Sequence, residues 1–132
     1  MKRKCKPLRK SIDGRREIYI DSENMSDILN YIKQDDTHKR KFNLILELIL
    51  GGYRNSELYD KEDINRKCKN IYAMKFFKRG SNDRIYCKEF SSDSGVRVVI
   101  CVELFEKKKS QGVNKKLEPI IDKISTYEYE FE

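Results

Sequence analysis

The chain has 132 residues, 39% of them charged and 38% hydrophobic, which is the length of one domain with apolar side chains for a modest core. A net charge of +7 and a pI near 9.2 point to nucleic acid or another acidic partner, and the strongly apolar stretches argue against intrinsic disorder. No apolar run approaches membrane-spanning length and no signal-type segment follows the basic start, so a cytoplasmic protein with no membrane partner is expected.

Met1–Arg16 holds eight Lys or Arg against one Asp, and residues 1–14 read as a basic N-terminal arm. Such a run is either a phosphate-seeking arm or a frayed, solvated tail. Arg16–Asp21 (REIYID) alternates polar and apolar residues, a first strand with Ile18 and Ile20 facing inward. Asp21 or Ser22 offers an N-cap, and Met25, Ile28, Leu29 and Ile32 follow at helical spacing to about Gln34. Asp35-Asp36-Thr37 restarts the pattern for a second helix from about Thr37 to Leu50, which Gly51-Gly52 stops in a left-handed turn. Arg54–Lys69 is a charged connection without periodicity.

Three strands follow, Asn70–Phe77, Asp83–Phe90 and Val96–Phe105, separated by turn-rich KRGSN and SSDSG. Lys107-Lys108-Lys109 comes directly after them. Asn114–Ser125 carries one apolar stripe of Leu117, Ile120, Ile121 and Ile124, and Pro119 predicts a helix start near Lys116. Residues 126–132 form an acidic aromatic tail whose alternation also suits an extra edge strand. The predicted fold is α+β, a single domain over 1–132 in the order β-α-α-β-β-β-α. An antiparallel sheet of about four strands carries the two N-terminal helices on one face, with a C-terminal helix added.

Cys5, Cys68, Cys87 and Cys101 show no Cys-x-x-Cys spacing and only His38 could join them, so neither a zinc site nor any other cofactor is expected. Cys87 and Cys101 read as small core residues of a reduced protein. Strand alternation places Lys75 opposite Met74 and Phe76. Arg84, Tyr86 and Lys88 fall opposite Ile85 and Cys87, and Arg97 opposite Val98 and Ile100. If the aliphatic sides meet the helices, Lys75, Arg84, Tyr86, Lys88 and Arg97 share the uncovered face. Lys107, Lys108 and Lys109 then close one rim, and Lys78 and Arg79 form another. Such a surface suits single-stranded RNA, with cations for phosphates and a tyrosine plane worth about 1–3 kcal/mol per stacked base. The same pattern arises when solvent-facing strand positions are charged for solubility and to discourage edge pairing.

The order of these elements, IYAMKF followed by a hairpin into DRIYC, and a last strand running into FEKKKSQ, together resemble the RelE/ParE superfamily of bacterial toxins, nearest to RelE and HigB. Members often show "iyElr", "yRvly" and "F-x-K-K" stretches in that order, and the correspondence covers most of the chain. The resemblance implies a ribosome-dependent, metal-independent mRNA endoribonuclease. Its partners would be a neutralising acidic antitoxin, the ribosome with its mRNA, and operator DNA through the antitoxin complex. The implied catalytic positions are Lys75 as general base or electrostatic stabiliser, Arg84 as phosphate clamp, and Lys107 or Lys108 as proton donor or second clamp. Lys78, Arg79, Tyr86, Lys88, Arg97 and Lys109 would bind RNA. Several relatives use a C-terminal Tyr or His; no His lies near this sheet, and Tyr127 or Tyr129 would have to substitute. The basic arm is longer than many members need. A ParE-type gyrase inhibitor and a non-enzymatic nucleic-acid-binding module remain the alternatives.

Overall fold

The computed structural model describes residues 2–62, 70–76, 83–106 and 113–132, the side chains of residues 113–118 excepted. The chain opens with a hairpin of β1 (Lys2–Lys10) and β2 (Arg16–Asp21). The basic arm is therefore a strand. Cys5 is buried, Leu8 packs on the core, and Arg3 finds Asp21, so the run has both apolar anchors and a counter-charge. β7 pairs β1 only as far as Cys5, so Pro7 lies beyond that pairing and its missing N–H costs the β1–β7 ladder nothing.

Two helices follow, α1 (Met25–Ile32) and α2 (Asp36–Gly51). Asp21 does not cap α1 as a flanking residue; its carboxylate instead accepts the N–H groups of Glu23 and Asn24 at 2.8 and 2.9 Å. Asp35 caps α2, accepting from the His38 N–H at 2.8 Å. Gly52, at φ 72°, closes its far end in the left-handed conformation.

After β3 (Tyr59–Lys61), the strands β4 (Ile71–Lys75), β5 (Arg84–Ser91) and β6 (Arg97–Phe105) form an antiparallel meander. α3 (Val113–Ser125) and β7 (Glu128–Phe131) complete the chain. Pro119 lies inside α3, which begins three residues before the predicted Lys116.

The sheet has seven strands in the order β3-β4-β5-β6-β2-β1-β7 and is mixed: β2 is parallel to β6 and β1 to β7. This overturns the expected four-stranded antiparallel sheet. β2 and the meander are separated by a helical crossover, the connection that parallel neighbours require. The arm and the tail, left outside the predicted sheet, supply two of the extra strands.

Both faces are covered, which corrects the expected one-sided packing. Ile18, Ile20, Met74, Phe76, Ile85, Cys87, Val99 and Cys101 meet α1 and α2. Ile71, Ala73, Tyr86, Val98, Ile100 and Val102 meet Ile121 and Ile124 of α3. The middle strands are apolar on both sides, as doubly covered strands are. Among the described residues no helix is long and apolar enough to cross a membrane.

Candidate nucleic-acid interface

Cross-strand register brings the two central cations together. Lys75 at the end of β4 stands opposite Arg84 at the start of β5, and Arg84 stands opposite Phe105 at the end of β6. All three project toward the face carrying α3. Lys107, Lys108 and Lys109 begin two residues beyond Phe105. They lie outside the described residues, as do Lys78 and Arg79.

The two cations differ in what holds them. Among the described residues no carboxylate pairs with Lys75, whose backbone N–H donates to the Leu58 carbonyl at 2.7 Å. Arg84 leans diagonally along the sheet and donates to Glu62 at 2.7 Å. Glu62 is only 7% exposed, just past β3, where its N–H donates to the Ile71 carbonyl at 2.9 Å. Glu62 was invisible in the sequence because Arg54–Lys69 has no periodicity to place a side chain.

Farther along the same face the cationic surface gives way to core. Tyr86 is fully buried beneath α3 and, as placed, offers no ring face to a base. Lys88 is half-buried and donates to the Tyr127 carbonyl at 2.7 Å; burial holds its ammonium below the usual lysine pKa. Tyr127 and Tyr129 are likewise structural. Arg3 stacks 4.2 Å from the Tyr127 ring centroid, and the Tyr129 hydroxyl donates to Asp21 at 2.5 Å.

Arg97 is on the opposite face. It pairs with Glu89, which also accepts from the Tyr59 hydroxyl at 2.5 Å, under the C-terminal end of α2. The sequence pattern grouped Arg97 with Lys75; the structure separates them by the thickness of the sheet. Beyond the end of β6, a concavity of about 700 Å³ between α1 and α3 is lined by Asp27, Glu103, Glu106 and Lys123. Its acidic lining suits no phosphate. Among the described residues no group of His, Cys, Asp or Glu could hold a metal ion.

No protein-family model, curated protein or solved structure matches the chain. The geometry around Lys75 and Arg84 therefore stands by itself. What it offers chemically is two adjacent cations at one end of the sheet, one fixed by a carboxylate and one, among the described residues, paired with none.

Proposed function

We propose that the protein is an RNA-cleaving toxin of the RelE/ParE type that acts on mRNA at the ribosome and is silenced by an acidic antitoxin. One observation carries the reading: Lys75 and Arg84 face each other across β4 and β5, beside the strand that leads into the lysine cluster. From β2 to β6 the frame that holds them runs β-α-α-β-β-β-β, one strand (β3) more than the order on which the resemblance was read.

In this reading the ribose 2′-OH attacks the adjacent phosphorus. The 2′-O–P bond forms as the hydroxyl proton passes to the Lys75 amine acting as general base, the P–O5′ bond breaks, and the products are a 2′,3′-cyclic phosphate and a 5′-hydroxyl. Arg84 grips the phosphate through its planar fork, and Lys75 offsets the charge gathering on the equatorial oxygens. Lys107 or Lys108 protonates the leaving oxygen.

Lys75→Met tests this cleanly because no described carboxylate is orphaned. The melting temperature should stay within about 2 °C of the parent, while primer extension on a translated message loses the cleavage stops. Arg84→Ala strands the Glu62 carboxylate, so its effect is read against Arg84→Ala/Glu62→Gln, which removes both charges. Intact transcripts with blocked gyrase would replace this reading by the ParE-type one. Intact transcripts without growth arrest would overturn both.

A further inference from the structure

A second basic pocket, about 610 Å³ in volume, opens at the other end of the sheet and on its other face. Arg16 from the start of β2, Arg54 from the loop after α2, and Arg97 from the start of β6 line it, with Tyr53, Tyr59 and Tyr72. Lys61 adds a fourth cation, against two carboxylates, Asp60 and Glu89. Glu89 is already spent on Arg97 and the Tyr59 hydroxyl.

Two features ask for a ligand. Arg16 is half-buried, yet among the described residues no carboxylate pairs with it. Its guanidinium lies against Gly52, where an added Cβ would come within 2.9 Å of Nη2. Asp13 acts on it only at a distance, from the exposed turn before β2, so an arriving anion would compensate this partly desolvated guanidinium. Beside it the aromatic groups are pre-set. Tyr59 and Tyr72 stack at 5.2 Å and 13°, with the Tyr59 hydroxyl locked on Glu89. Tyr53 is 72% exposed, its ring standing over Gly51 at the rim. Cations inside and a free tyrosine plane at the mouth match a phosphate with its base attached.

We infer that this pocket binds a nucleotide unit of single-stranded nucleic acid, the phosphate on Arg16 and Arg54 and the base on Tyr53. The inference stands apart from cleavage at Lys75. A peptide carboxylate would satisfy the arginines but leaves the exposed ring without a partner.

The test is fluorescence anisotropy of the full chain with labelled oligouridine and oligothymidine of about eight nucleotides, competed with UMP, inorganic phosphate and a glutamate-rich peptide. Both oligonucleotides should bind. Tyr53→Ala and Arg54→Ala, both at exposed positions, should each weaken binding about fivefold or more without moving the melting temperature, and Tyr53→Phe should restore it. UMP should compete better than phosphate. Unchanged affinity in both alanine variants, phosphate competing as well as UMP, or the peptide binding with the same dependence on Tyr53 would each overturn the inference. If Lys75→Met abolishes cleavage while Tyr53→Ala binds normally, the pocket falls and the proposed function stands.

Discussion

Asp21 shows how one side chain can bind the ends of a chain together. Its carboxylate is fully buried and accepts from Arg3 Nε at 2.7 Å, Arg3 Nη2 at 3.1 Å, two backbone N–H groups and the Tyr129 hydroxyl. Removing it takes the buried partner from a nearly buried guanidinium, leaving Arg3 only the exposed Glu23, and strips the half-buried Tyr129 phenol of its acceptor. Asp21→Ala should cost about 3–5 kcal/mol, read as a lower urea midpoint; a loss below about 1 kcal/mol would deny the hub its role. Burial also sets the alkaline limit. It pushes the Cys5 thiol from 9.0 up to about 12 and, with the Glu17 hydrogen bond, the Tyr19 phenol from 10.0 up to about 12. The folded chain keeps protons that the unfolded chain releases. This stabilisation is complete below 9 and disappears as pH climbs toward about 12. Melting followed by circular dichroism should give a lower midpoint at about pH 10.5 than at about pH 8, and equal midpoints would contradict it. At this scale alternation correctly set Lys75 opposite Met74 and placed Arg84 on the side of Tyr86. It had no means of placing Arg97, because β6 is apolar on both sides and neither side announces which layer it meets.

At the scale of elements, the C-terminal segment decides the architecture. The stripe of Ile120, Ile121 and Ile124 was legible as a helix, but periodicity shows only which side of a helix is apolar. It does not show which sheet face receives it, and α3 took the face expected to be open. The tail was legible as a possible strand, while its pairing with β1 depends on partners about 125 positions away in sequence. Similarly, the bulge that sets Tyr86 opposite Glu103 but Cys87 opposite Cys101 leaves Val102 as an extra residue. It moves Leu104 to the layer of α1 and α2, reversing the face that strict alternation assigns it. Truncation after Ser125 removes β7 and the Tyr129 bond to Asp21. The melting temperature should fall by about 5 °C or more, and Cys5 should become open to alkylation in the native state. Protection of Cys5 in the truncated chain would show that β7 is dispensable.

For the whole molecule, the charge of +7 is not one smooth patch. Lys75 and Arg84 sit at one end of the β4–β5 pair, and Arg16, Arg54 and Arg97 at the opposite end of the strands on the reverse face. If both ends contact nucleic acid, affinity for long single-stranded RNA should drop by about tenfold or more between 50 and 200 mM salt. The logarithmic slope should become shallower when either end is neutralised; a slope indifferent to both would remove electrostatics from the binding. Composition gives only the net charge; the register of seven strands divides the named cations into two separate groups.

The parallel contact between β1 and β7 has a consequence for biosynthesis. β1 reaches its outer neighbour only after about 125 further residues have been translated. Until then Cys5 lacks its flanking ladder and the backbone of β1 stays open to any passing strand. A message cut or terminated before the β7 codons would yield a product with an unsealed margin, prone to proteolysis or to zipping onto a sister molecule.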